Sequence, residues 1–370
     1  MRPGNATLLN IVLVYNKRLR NYLTVYKKLA SMVNRHSASF RLSDLPYASI
    51  EAGDLQHHWE AVEQYFRSDR KLPPNIFVVD FNQPLRRSDT DPAYPVIKEF
   101  LARYGFLSQF VNFNCSSHTD QDRRSNLILG AVGRQILNKC GARIWWVDIP
   151  RSIPLPAVIV GVDVFHAPRR FDPRLGKYFA KESVAAVVVQ LVRRFVKQDQ
   201  PVFEVFSKTE RRKAGGEYEV GNLLEDTVRE ALRRFKVNPR CCICWRDGVG
   251  DSSISHVKTG EIPALRKGLI NADKFTIPTA YVVCQKRIST KFISVYGNDG
   301  MPPGALIQDV GSSTYQTFYI HGPSPPISTP RSIRYLVVEK DDGVQHESLP
   351  ELAWALSHDY PNWPGMFLLH

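Results

Sequence analysis

Apolar residues in this chain gather into short continuous runs, separated by amphipathic stretches with a period near 3.6 residues. The clearest early run is Ile76-Phe-Val-Val-Asp80, set off by the breaker Lys71-Leu-Pro-Pro-Asn75. A run apolar at successive positions predicts a strand covered on both faces, as in a parallel sheet. After the polar stretch 82–93, Val96, Ile97, Phe100, Leu101 and Tyr104 recur at helical spacing. They predict a helix from about Pro95, with Lys98 off its apolar face. Phe110-Val-Asn-Phe113 predicts another strand, and residues 125–139 a helix ended by Gly141. This strand–helix alternation predicts an α/β domain over 71–152. Residues 1–70 are mixed helix and strand, dense in Tyr, Lys and Arg; they either precede that domain or belong to it.

Pro150, Pro154 and Pro156 punctuate a junction, and a second domain is predicted over 153–370. It opens with the apolar strand 157–165. Residues 183–195 read as a strand or a strand–helix junction. Leu224, Val228, Leu232 and Phe235 form one stripe of a helix over 217–235. The run 241–245 is a buried strand leading into Arg246-Asp-Gly248, and 274–292 contains another strand, ending in Gln285-Lys286-Arg287. Beyond Pro- and Ser-rich stretches at 302–304 and 322–330 come a strand at 333–338 and a helix near 348–359.

Composition narrows the classes. The 370 residues are 43% hydrophobic and 23% charged, which excludes wholesale disorder and a collagen-like rod. The net charge of +13 points to a polyanionic partner, nucleic acid or an anionic membrane face. No stretch approaches the ~18–20 apolar residues of a membrane span, so membrane insertion is not expected. Residues 1–43 hold eight Lys/Arg and no acid before Asp44. They read as a strand and a basic helix, with a mitochondrial presequence as the alternative. No cysteine pair has Cys-x-x-Cys spacing; Cys241, Cys242 and Cys244 read as small core residues, and a reducing compartment, cytoplasmic or similar, is expected.

Two acids stand out. Asp163 interrupts a Val/Ile strand, where an uncompensated carboxylate costs several kcal/mol. Asp247 follows the strand 241–245 directly. Two acids on neighbouring strand ends make a hard-oxygen site suited to Mg²⁺ or Mn²⁺, of the kind two-metal nucleases use on phosphodiesters. Read alone, each acid more often ends a strand or caps a turn than it holds a metal.

Several motifs converge on one family. Gly161-Val-Asp-Val-Phe-His166, Trp245-Arg-Asp-Gly-Val-Gly-Asp251 and Gln285-Lys-Arg-Ile-Ser-Thr-Lys-Phe292 resemble, in order, signatures of the PIWI domain of Argonaute proteins. Ile144-Trp-Trp-Val-Asp-Ile-Pro150 resembles the PIWI clade, and Pro302-Pro-Gly-Ala, Tyr315-Gln-Thr-Phe-Tyr319 and Asn362-Trp-Pro-Gly365 continue the likeness. The resemblance covers roughly 75–370. It implies a Rossmann-like MID domain followed by an RNase H-like PIWI domain. It also implies an acidic tetrad, with Asp163 and Asp247 as its fixed aspartates and metal ligands, if any metal binds, and Glu219 (Glu217 a near rival) as its glutamate. Arg334 falls at the fourth position, where guanidinium has no lone pair for a metal. Mg²⁺ or Mn²⁺ binding is therefore expected to be weak or absent, and cleavage lost or weak.

For the MID portion, the resemblance implies a pocket for a guide strand's 5′-phosphate. Tyr94 and Lys98 match its Tyr-x-x-x-Lys pair, Gln109 the following Gln, Gln135 a Gln one helical turn before the second Lys, and Lys139 that Lys. An aromatic and a cation at i,i+4 share one side of a helix, suiting base stacking and phosphate capture. Gln285, Lys286 and Arg287 either touch the guide backbone or form a solvated charge run. The reading is a protein that presents a short guide, RNA rather than DNA, to a complementary target. Three rivals stay open: an active guided endonuclease built on Asp163, Glu219 and Asp247, an interaction module that keeps the fold, and an unguided RNase H-like nuclease. At this length no PAZ domain is expected, and the family's closing C-terminal segment looks missing.

Overall fold

The computed structural model describes residues 7–16, 22–37, 40–52, 75–80, 93–111, 123–142, 148–166, 170–172, 177–179, 183–193, 203–212, 220–270, 276–293, 301–308, 314–322 and 331–359, with positions 60, 63, 295 and 310. They fall into two compact units, the first ending at Ala142 and the second running from Asp148 to Asp359.

In chain order the first unit holds β1 (Thr7–Leu8), β2 (Ile11–Asn16), α1 (Tyr22–His36), β3 (Phe40–Arg41), β4 (Ala48–Ala52), β5 (Ile76–Asp80), α2 (Ala93–Arg103), β6 (Leu107–Val111) and α3 (Arg123–Lys139). The main sheet has the order β4-β2-β5-β6, with every neighbour parallel. Its two central strands are apolar at successive positions because helices cover both faces. Ile11, Leu13, Ile76 and Val78 pack with Leu29 of α1 and Ile136 of α3. Val12, Val14, Phe77 and Val79 pack with Ile97 and Leu101 of α2. Pairing of β2 with β5 carries the sheet across position 70, so β2 and β4 belong to this unit.

One strand lies earlier than the apolar pattern places it: β6 starts at Leu107, not Phe110. Gly105, at φ +74°, ends α2, and the Phe106 amide returns to the Leu101 carbonyl at 2.8 Å. The chain is thereby turned into the sheet two residues after the helix stop, a geometry that glycine adopts without strain.

The second unit holds β7 (Ala157–His166), the hairpin β8 (Arg170–Asp172) and β9 (Lys177–Phe179), β10 (Ser183–Val192), β11 (Phe203–Arg212), α4 (Gly221–Phe235), β12 (Cys241–Asp247), α5 (Ile262–Leu269), β13 (Thr279–Gln285), β14 (Leu306–Gln308), β15 (Gln316–His321), β16 (Ser332–Lys340) and α6 (Ser348–Ser357). Eight strands form one mixed sheet in the order β11-β10-β7-β12-β13-β16-β15-β14. One face buries Val158, Val160, Cys242, Cys244 and Leu336 against Leu224 and Val228 of α4 and Leu265 of α5. The other buries Ile159, Ile243, Trp245, Val282 and Tyr335 against Leu349 and Leu352 of α6.

β11 has no apolar signature in the sequence. It is an edge strand that meets α4 through mixed contacts: Lys208 pairs with Glu230 at 2.6 Å, and the Phe206 ring lies 4.3 Å under Arg234 of α4. An edge strand needs apolar contact on one face only, which dilutes the pattern. A short helical turn (Ile254–His256) and a π-helical turn (Val257–Glu261) lead into α5 and are likewise unmarked.

Candidate functional site

In the first unit, four of the five residues expected to hold a 5′-phosphate gather where β6, α2 and α3 meet. Gln109 is buried on β6, and its Nε2 donates to Gln135 Oε1 of α3 at 2.8 Å and to the Phe110 carbonyl at 3.0 Å. Lys139, the last residue of α3, donates to Gln109 Oε1 at 2.9 Å and to the Ser108 carbonyl at 2.6 Å. The Gln109 amide is thereby held in one orientation, and two of the three ammonium protons of Lys139 have protein acceptors. Burial lowers the Lys139 pKa, and the positive charge of Lys98, exposed on α2, lowers it further. Two ammonium groups close enough to feel one another favour an anion between them. Tyr94 is in the first turn of α2, but its side chain lies outside the described residues.

In the second unit, the alternation of β7 turns Asp163 outward. Val158, Val160 and Val162 enter the α4 side of the core, whereas Asp163 is exposed, so the expected burial cost does not arise. Parallel pairing of β7 with β12 runs to Val162↔Arg246; Asp163 and Asp247 are the next positions on each strand. Both line an open cleft of about 990 Å³ with Gly248, Asp251, Lys286, Arg287, Tyr319 and Arg334. Gly248, at φ +79°, makes the sharp turn beyond Asp247.

Two carboxylates of this cleft, Asp247 and Asp251, already have cationic partners. Lys286 Nζ lies 2.6 Å from Asp247 Oδ2. Arg334 Nη1 donates to both Asp251 carboxylate oxygens at 3.2 Å and to Gln285 Oε1 at 3.2 Å. The Gln285 amide donates to Asp251 Oδ1 at 2.8 Å; that bond, with the Arg334 charge, holds the Asp251 carboxyl below its usual range. Among the described residues, no three His, Cys, Asp or Glu side chains come together as a metal cluster. With ammonium on one carboxylate and guanidinium on another, the donors described do not fit a resident Mg²⁺ or Mn²⁺. Glu219 and Glu217 lie outside the described residues.

Residues 84–368 match the Piwi domain. The chain belongs to the Piwi family. Piwi-like protein 2 of Schmidtea mediterranea is 25% identical over 288 residues, 74% of this chain and 32% of its own length. Piwi-like protein 1 of Gallus gallus is 26% identical over 368 residues, 96% of this chain and 39% of its own length. The chain thus spans about a third of the length of these Piwi-like proteins. The crystal structure of Drosophila Piwi superposes with a TM-score of 0.72 at 18% identity, covering 98% of this chain and 46% of that one. Kluyveromyces polysporus Argonaute, crystallised with a guide RNA, superposes at 0.70 and 16% identity, over 98% of this chain and 45% of that one. The fold is that of the C-terminal part of a PIWI-clade Argonaute, with an RNase H-like PIWI domain.

Within this Piwi domain, strand register sets the surroundings of Arg334, the expected fourth position. Asp247 pairs with Cys284, and Cys284 with Tyr335. Tyr335 packs in the same core as Ile159 and Trp245, and so shares the aspartates' face, whereas the neighbours two residues along from Arg334, Leu336 and Val338, belong to the opposite core. Side chains alternate along a strand, so Arg334 and Tyr335 leave β16 on opposite faces; Arg334 lines the cleft with Asp163 and Asp247 and meets Asp251 there. Tyr335 is fully buried, stacked on Phe318 with centroids 4.7 Å apart. Burial, reinforced by the neighbouring Cys284 and the Asp247 carboxylate, raises its pKa well above the usual phenol value.

Three residues near the site escape sequence reading. Asp251 was visible inside its motif but had no assigned partner. Arg246 and Glu261 form a buried pair, Nε to Oε2 at 3.0 Å, to which the Tyr281 hydroxyl also donates. Arg246 Nη1 continues to the Asp247 carbonyl at 2.5 Å and so steadies the strand end. Glu261 ends the π-helical turn, an irregularity that apolar periodicity does not reveal.

Proposed function

We propose that this Piwi-family chain captures the 5′-phosphate of a short guide strand, RNA rather than DNA, and presents it to a complementary target, with metal-dependent cleavage lost or weak. One observation carries the reading: Lys139, Gln109 and Gln135 form a connected polar network whose ammonium is pressed by a second one, on Lys98. Such a pair answers the charge of a terminal phosphate, while the fixed Gln109 amide holds Lys139 in place. The Kluyveromyces Argonaute of matching fold was crystallised with a guide RNA, which supports a guide as the polyanion that the +13 net charge anticipates. Loss of cleavage is supported by the Lys286–Asp247 pairing.

The test is binding of matched oligonucleotides with 5′-phosphate or 5′-hydroxyl ends. The double variant Lys98→Ala/Lys139→Ala should lose about tenfold or more in affinity for the phosphorylated strand and much less for the hydroxyl one. Equal losses on both would refute 5′-end capture. Guided cutting with Mn²⁺, abolished by Asp163→Ala, would instead establish an active endonuclease.

A further inference from the structure

Two carboxylates brought to neighbouring strand ends raise one another's energy unless something positive stands between them. In RNase H-like nucleases that positive group is a divalent ion from solution. Here a cation of the chain itself stands on one of the two, Asp247. Lys286 follows Gln285, the last residue of β13, and strand alternation directs it to the same face as Cys284, the in-register neighbour of Asp247. Its Nζ reaches Asp247 Oδ2 at 2.6 Å, with the two side chains only 23% and 17% exposed. A metal ion bound to that oxygen would lie about 2.0–2.2 Å from it, in the space beside the ammonium. The two cations cannot share it without strong repulsion.

We propose that Lys286 is a tethered cation plug: it takes the divalent-ion position at Asp247 and excludes Mg²⁺ and Mn²⁺ from the cleft. Tethering gives the lysine an advantage that free ions lack, because its local concentration is set by the chain. Arg334 reinforces the exclusion on the far side by engaging both oxygens of Asp251. Hard cations need several oxygen ligands at once, and the cleft's remaining described carboxylate, Asp163, supplies one group. The inference names the residue responsible for weak cleavage in the proposed function. It is independent of 5′-phosphate capture, which rests on Lys98, Gln109, Gln135 and Lys139 of the first unit.

The experiment is a Mn²⁺ titration of the full chain, followed by electron paramagnetic resonance in the absence of nucleic acid. Wild type should bind Mn²⁺ no more tightly than Asp163→Asn/Asp247→Asn. Lys286→Met should gain one site about tenfold or more tighter, the scale on which adjacent charges shift one another's equilibria. Adding Asp247→Asn to Lys286→Met should remove that site. Lys286→Gln serves as a second neutral replacement, and melting curves confirm that each variant is folded. The plug is overturned if wild type already binds Mn²⁺ as tightly as Lys286→Met, or if neither neutral variant binds better than wild type. Either result leaves 5′-phosphate capture untouched, because no oligonucleotide is present.

Discussion

Lys139 is where one residue's environment sets a measurable pH dependence. Burial, then the charge of Lys98, lowers its pKa, so it gives up its proton earlier than an ordinary lysine as pH rises. A phosphate monoester becomes a dianion above about pH 6. The advantage of a 5′-phosphate over a 5′-hydroxyl should therefore grow through that pH and decline again at alkaline pH, once Lys139 loses its charge. Lys139→Arg, which stays protonated, should abolish the alkaline decline while keeping the rise near pH 6. Fluorescence anisotropy of the two oligonucleotides across pH reads both limbs. An unchanged alkaline limb in the arginine variant would exclude Lys139 as the titrating group. At the same scale, Asp163 shows why residue type alone misleads: a carboxylate in a Val-rich strand costs nothing when alternation turns it to solvent.

Among the elements, α4 and α5 fix the cleft from behind. They cross closely at Gly268, where an added Cβ would lie 2.8 Å from the Glu225 carbonyl oxygen and 3.1 Å from Val228 Cβ. Backbone on the facing helix cannot rotate away as a side chain can, so the helices must part. Gly268→Ala should cost about 1–3 kcal/mol, an overpacking penalty. For a unit of this size that lowers the melting temperature by roughly 2–12 °C. A thermal melt that leaves the midpoint unchanged would show that the helices separate freely. The π-helical turn before α5 brings Glu261 to Arg246, so the same packing steadies the strand that carries Asp247.

For the whole molecule, the excess of 49 Lys+Arg over 36 Asp+Glu matters more than any single ion pair. Exposed pairs such as Arg103–Glu99 at 2.7 Å add little to stability, whereas uncompensated cations release counterions when a nucleic-acid backbone binds. Affinity for a single strand should fall with salt with a log–log slope of about −0.7 per phosphate contacted. If about four phosphates are engaged, the slope is near −3. Titrations between low and moderate salt measure it, and a flat response would mean that the charge serves something other than a nucleic-acid backbone.

The sequence by itself determined the strands that helices cover on both faces. At 76–80 in the first unit and 241–245 in the second, burial on two sides leaves a continuous apolar run that needs no partner to be read. It also carried the motifs that place Asp163, Asp247, Lys98 and Lys139, because turn glycines and charged residues keep a fixed local order. It could not give β11, whose edge position needs few apolar side chains, nor the π-helical turn that delivers Glu261. Above all it could not give the pairing of charges. Lys286 lies 39 residues from Asp247 along the chain, and Arg334 lies 83 from Asp251. Which cation meets which carboxylate is decided by strand register, since a shift of one residue moves a side chain to the opposite face. Register buried Tyr335 in the core, brought Arg334 to Asp251 and brought Lys286 to Asp247. The tertiary structure thereby set the chain's own ammonium on Asp247, a pairing that the motifs alone do not show.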